Sequence, residues 1–182
     1  MRRCAKTCVA YPYVDPALLD AALPYLTYLA PFTYGIASDG TLLPLDDERL
    51  LAAAGRHRTA GLMHLSTLTE AGSFSNERSS LLLGNVALQE RLIGDVVETM
   101  RQKGYYGLDV DFEFVFPNER VAYADFIRRL RETLNPLGYG VIVALAPKTR
   151  ADQPGLLYEA HDYALLGEAA NAVLLMTYDK GW

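Results

Sequence analysis

Cysteine is nearly absent: Cys4 and Cys8 are the only two in 182 residues. Two cysteines can form at most one disulfide, and nothing else in the sequence supports it. The three histidines, His57, His64 and His161, are scattered along the chain. With no clustered Cys/His set there is no zinc-site spacing, so the cysteines read as plain thiols, the histidines as structural, and no metal is expected. Positive charge is also short, with 17 Lys and Arg against 22 Asp and Glu for a net charge of −5, and no basic stripe appears. Nucleic acid and anionic membrane surfaces are therefore poor partners. No apolar run is long enough to span a bilayer, since the stretch 17–37 is broken by Asp20, Pro24 and Pro31. The opening Met1-Arg2-Arg3 has the charge of a signal peptide, but Pro12 and Asp15 interrupt the apolar stretch after it, so none is expected. No linker, low-complexity tract or charge block divides residues 1–182, which read as a single domain with a sizeable core.

Alternation is what the chain has in plenty. Short apolar runs suited to strands alternate with longer stretches of helical period, the pattern of successive β–α units around a parallel sheet. Strands are expected at 7–11, 28–34, 61–65, 106–115, 140–146 and 172–177. Helices are expected at 17–26, after an Asp15-Pro16 start, and through Arg56 from a cap at Asp46 or Asp47. Further helices are expected from an Asn85 cap to the Gly104 stop, at 119–134 and at 161–169. The Ser- and Gly-containing stretch 66–84 reads as a loop.

The fourth strand carries the chemistry. From Leu108 to Phe114 the sequence alternates with period two, so Leu108, Val110, Phe112 and Phe114 share one face and Asp109, Asp111 and Glu113 the other. An edge strand with one solvated acidic face would show the same alternation. Two facts oppose that reading: both faces of a strand within β–α alternation are covered, and three adjacent carboxylates repel one another without structural gain. A calcium loop is excluded because its sixth position needs a glycine and Phe114 stands there. Like charges raise one another's pKa, so one acid of the cluster can stay protonated. Glu113, at the carboxyl end where parallel barrels place their active sites, is the natural candidate. A protonated glutamic acid beside an ionised aspartate is what glycoside hydrolysis requires.

On these residues the sequence resembles glycoside hydrolase family 18, the chitinase-like (β/α)8 barrels, whose fourth strand carries the pattern DGxDxDxE. Here it reads Tyr106-Gly107-Leu108-Asp109-Val110-Asp111-Phe112-Glu113. The family's Met-x-Tyr-Asp motif at the sixth strand reads Met176-Thr177-Tyr178-Asp179. The stretches 28–32, 104–107 and 146–163 are similar to the SleL/YaaH-type spore cortex-lytic N-acetylglucosaminidases. The resemblance implies substrate-assisted retaining catalysis without metal or organic cofactor. Glu113 would be the general acid/base, and Asp111 would orient the substrate acetamido N–H. Asp109 would tune Asp111, and Tyr178 would hold the acetamido group. Met176, Asp179, Tyr11, Phe32 and Tyr34 would support or line the sugar site. The implied partner is an N-acetylglucosamine glycan, peptidoglycan or chitin, and the same likeness implies a spore or cell-wall location.

The sequence departs from the family pattern at Tyr106, where many members have the motif's first aspartate, and at Phe112, where tryptophan is commoner. It also ends at Trp182, whereas such a barrel takes about 250 residues. An incomplete barrel of about six β–α units, lacking strands seven and eight and open to self-association at its sheet edges, is therefore expected. A lectin-like binding barrel and an inactive fragment of the enzyme are the alternatives; retention of Glu113 favours the enzyme lineage over the lectin.

Overall fold

The computed structural model describes residues 5–177. Six parallel strands form one sheet whose spatial order is the chain order: β1 (Thr7–Ala10), β2 (Tyr28–Pro31), β3 (Ala60–Ser66), β4 (Gly107–Asp111), β5 (Gly140–Leu145) and β6 (Ala172–Leu175). The connections carry helices α1 (Pro16–Ala22), α2 (Glu48–Arg56), α3 (Asn76–Leu83), α4 (Val86–Lys103), α5 (Arg120–Leu134) and α6 (Tyr163–Ala169).

Local chemistry sets most boundaries. Asp15 accepts from Leu18 N–H at 2.9 Å with Pro16 at the first helical position. Pro24 then converts the rest of the expected helix into a 3-10 turn at Leu23–Tyr25. Asn85 caps the 18-residue α4, accepting from Ala87 and Leu88 N–H, and Gly104 ends it in the left-handed region at φ 72°. Replacing Asn85 by Ala is expected to cost about 1 kcal/mol in urea unfolding, the usual worth of an N-cap. The stretch 66–84 is not all loop. Ser75 accepts from Arg78 N–H and opens α3, whose Leu82 and Leu83 are buried. The expected start of α6 at residue 161 moves to Tyr163, because Asp162 is its cap. Strand β2 stops at Pro31 rather than Tyr34.

The main core lies between sheet and helices. Met63, Leu65, Leu108, Val110, Val141 and Val143 join Leu92, Val96, Phe126 and Leu130 in one buried cluster. Alternation then turns His64, Ser66, Asp109, Asp111, Ile142 and Ala144 to the concave side of the sheet. The register holds them level, with His64 opposite Asp109, Ser66 opposite Asp111 and Asp109 opposite Ile142.

Candidate active site

The acidic strand is shorter than its sequence pattern. β4 ends at Asp111 instead of running to Val115, so Glu113 lies two residues beyond its carboxyl end. The reason is a competing partner for the backbone. His161, fully buried, has its Nε2 at 2.9 Å from the Phe112 carbonyl, while its Nδ1 accepts from Ala146 N–H at 2.8 Å. An Nδ1 that accepts leaves the proton on Nε2, so this ring is neutral and donates to Phe112. Burial holds its pKa below the ordinary histidine value. The ring thereby clasps the ends of β4 and β5 at the residue between Asp111 and Glu113. The Phe112 side chain goes the other way, stacked on Tyr123 and Phe126 of α5 at centroid distances of 5.6 and 5.9 Å.

Asp109 and Asp111 are both buried, at 0% and 5% exposure. Neither oxygen of Asp109, nor Oδ1 of Asp111, has a hydrogen-bond partner among the described residues. Burial, reinforced by the charge of Asp111 and opposed by His64, raises the Asp109 carboxyl to about 6. Asp109 is thus one acid of the cluster whose carboxyl is held up. The Tyr123 hydroxyl is likewise buried without a hydrogen-bond partner among the described residues. Burial first, then the nearby charge of Asp111, pushes its pKa up.

His64, read from sequence as merely structural, faces these acids. Its Nε2 lies 3.5 Å from Asp111 Oδ2 and 3.9 Å from Asp109 Oδ2. Its Nδ1 is 2.7 Å from Thr33 Oγ1, which is 3.0 Å from Ser66 Oγ. Thr33 comes after the cis peptide Phe32–Thr33 just past β2. The signal for His64 was positional: parallel pairing of β3 with β4 brings the histidine level with Asp109.

Aromatic rings continue from there. The half-buried Phe32 sits 5.4 Å from His64, 4.9 Å edge-on from Tyr11 and 6.2 Å from Phe74. Tyr11 stacks on Tyr13 at 5.1 Å, and these two tyrosines are 50% and 80% exposed. Tyr13 and Phe74 were not singled out by sequence. Tyr34, expected to line the site, does not. Its side chain is buried in the helical layer and its hydroxyl donates to Asp47. Residues 32 and 34 would share a face in a continuous strand, but β2 ends at Pro31, so the two-residue period no longer sets the direction of Tyr34. Met176 is buried with Ala144 and Ala146 at the end of β6. Tyr178 and Asp179 lie outside the described residues, as does Cys4; Cys8 is a free thiol. Among the described residues, no group of three or more His, Cys, Asp or Glu is arranged to hold a metal ion.

Residues 49–181 match the family described as Glycosyl hydrolases family 18. The chain belongs to that family. Among its family 18 relatives, the cortical fragment-lytic enzyme of Bacillus subtilis (strain 168) is 39% identical over 163 residues, covering 88% of this chain and 37% of the relative. The crystal structure of the Bacillus cereus spore cortex-lytic enzyme SleL superposes with a TM-score of 0.88 at 32% identity, over 98% of this chain and 42% of that one. A chitinase from Chromobacterium violaceum ATCC 12472 shares the fold, with a TM-score of 0.84 at 22% identity over 98% of this chain and 57% of that one. The chain thus spans well under half the length of the curated cortical fragment-lytic relatives it matches. Its six strands are β/α units of the family 18 barrel, and the described architecture is an incomplete barrel.

Proposed function

We propose that this chain carries the acidic machinery of a glycosidase cleaving β-1,4-linked N-acetylglucosamine glycans, with spore-cortex or cell-wall peptidoglycan preferred over chitin. The observation that carries the reading is the convergence at the carboxyl end of β4. Two buried aspartates lie on the concave side facing His64, from which the aromatic strip of Phe32 and Tyr11 runs, and Glu113 comes two residues after Asp111 at half-buried depth.

In this reading the Glu113 carboxylic acid gives its proton to the glycosidic oxygen as the C1–O bond breaks. The carbonyl oxygen of the substrate's own acetamido group attacks C1, forming a cyclic oxazolinium ion. The Asp111 carboxylate accepts the acetamido N–H and balances the positive charge that grows there, and Asp109 behind it tunes its ionisation. Glu113, now a carboxylate, takes a proton from water, whose oxygen opens the ring at C1. Two displacements at C1 retain its configuration. Tyr178 is assigned to the acetamido group on the motif alone. Tyr11 and Phe32 offer ring faces to sugars.

The preference for peptidoglycan rests on the named activity of the cortical fragment-lytic relatives and on charge. Past β5, Lys148 and Arg150 line a pocket with Tyr163, and the Lys148 ammonium lies 5.5 Å over the Tyr163 ring. Asp162 lines it too, so two cations stand against one carboxylate, and this net positive lining past β5 suits a glycan bearing carboxylates better than neutral chitin.

The test is to incubate the purified chain with spore-cortex peptidoglycan and with chitin oligosaccharides, tracking new reducing ends by mass spectrometry and their initial anomer by NMR. Reducing ends from peptidoglycan, appearing first as the β-anomer, are expected. An α-anomer first would rule out the substrate-assisted route, and binding without any new ends would point to the lectin-like alternative.

A further inference from the structure

We infer that His64 is a positioning residue that works as a fixed imidazolium, holding Asp111 ionised and oriented inside the buried acid pair; the inference rests on the glycosidase reading only for its consequence in turnover.

The acid pair is short of positive charge. Asp109 and Asp111 are both buried, two residues apart on one strand face, and three of their four carboxyl oxygens have no hydrogen-bond donor among the described residues. Two bare carboxylates cannot both ionise in such a place unless a cation faces them. Among the described ion pairs, each of these aspartates has a single cationic partner, the His64 ring, with Nε2 3.5 Å from Asp111 Oδ2 and 3.9 Å from Asp109 Oδ2. The ring is 2% exposed, so solvent does not share its charge.

The other side of the ring accommodates a proton equally well. Nδ1 meets Thr33 Oγ1 at 2.7 Å, and the Thr33 hydroxyl can pass its own hydrogen to Ser66 Oγ at 3.0 Å. Ser66 Oγ in turn accepts from Leu68 N–H. An Nδ1–H donating to Thr33, with Thr33 donating to Ser66, therefore completes the chain with both ring nitrogens protonated. The groups facing the ring from each neighbouring element agree. β4 presents Asp109 and Asp111, with the charge of Glu113 felt beyond the strand end. The end of β2 presents the Thr33 hydroxyl and the Phe32 ring, and β3 itself contributes Ser66. The charged groups among the described residues that act most strongly on the ring, Asp109, Asp111 and Glu113, are all acids. Burial works against the imidazolium, but the Asp111 hydrogen bond and the charges of Asp109, Asp111 and Glu113 outweigh it and raise its pKa.

His161 shows the contrast within the same site. Equally buried and close by, it accepts a backbone N–H on Nδ1 and must be neutral. One histidine carries charge, the other carries geometry.

The consequence is a division of labour. With His64 cationic, Asp111 has a positive partner 3.5 Å away in the oxazolinium step, while Asp109, raised by burial to about 6, is a member that takes up a proton as pH falls. Without the imidazolium the buried pair would lose the positive charge that faces both of its carboxylates.

The experiment is a pH titration of the histidine side chains of the 15N-labelled chain, read by two-dimensional NMR of the ring nitrogens, on the original and on Asp109→Asn and Asp111→Asn. The expected result is His64 with both nitrogens protonated at pH 7, His161 neutral, and a downward shift of the His64 titration in each aspartate variant. A His64 ring already neutral at pH 6.5, or one unmoved by both variants, would overturn the inference whether or not the chain cleaves glycans. In turnover, His64→Asn is expected to move the acid limb of kcat/KM upward by about one pH unit with KM little changed. A uniform loss at all pH values, with the limb in place, would reduce His64 to a packing role.

Discussion

Glu113→Gln is expected to lower cleavage of peptidoglycan on the order of 10³-fold, while the circular dichroism spectrum and thermal midpoint stay close to those of the original chain. Glutamine keeps the shape of the side chain but has no proton to give, so the leaving oxygen must depart as an alkoxide. The size of the loss should therefore depend on the leaving group. An aryl N-acetylglucosaminide, whose phenolate leaves without help, should retain far more of its rate than a sugar–sugar bond. Parallel assays of glycan and aryl glycoside distinguish this from a general collapse of the site. Equal losses on both substrates would remove Glu113 from the role of acid.

The second large effect lies outside the cleft. Asp47 is completely buried at the start of α2. It does not cap the helix with its side chain, as the sequence suggests; it receives the hydroxyls of Tyr34 and Tyr105 and the Lys103 ammonium at 2.5 Å. Asp47→Ala leaves one partly buried cation and two buried hydroxyls without their acceptor. A loss of about 3–5 kcal/mol in urea unfolding at pH 7 is expected, the scale for breaking a buried ion pair. Burial alone would raise the Asp47 carboxyl, but the hydrogen bonds from Lys103, Tyr105 and Tyr34 outweigh it and hold it below the usual aspartate range. A folded-state pKa below the unfolded value means the stabilisation is complete above about pH 4 and is lost as pH falls through the folded value. The gap between variant and original should accordingly narrow only below about pH 4. A gap of the same size at pH 3 would show that the carboxylate's charge is not what stabilises the cluster.

The β–α order and the acidic face of β4 were legible because each depends on a repeating period, and burial enforces periods locally. The ends of elements were not, because they are decided by partners far off in sequence. Phe112 continues the alternation perfectly, yet its carbonyl bonds to His161, 49 residues later, and the strand stops before it. Ser66 to Gly84 reads as loop because it contains several serines and glycines, while α3 is set by a single Ser75 cap and the burial of two leucines. His64 was legible as a buried strand residue but not as a partner of the acids. A histidine in an apolar run has the same appearance either way, and only the pairing register puts it opposite Asp109. Tyr34 and Tyr11 are both tyrosines at early strand ends. One is committed to Asp47 in the helical layer and the other is half open beside Phe32, a distinction of side-chain direction that composition does not carry.

The sheet's order, β1 through β6 without a crossover, also bears on how the molecule is made. Each strand's hydrogen-bonded partner is always the strand just synthesised before it, so every unit emerging from the ribosome finds its docking edge already present. Loop-closure costs stay those of one β–α unit at a time rather than of the whole chain. The acids of β4 thus reach their burial place only after β3 has set His64 there to receive them. On this order of events, the counter-charge precedes the charges it must balance.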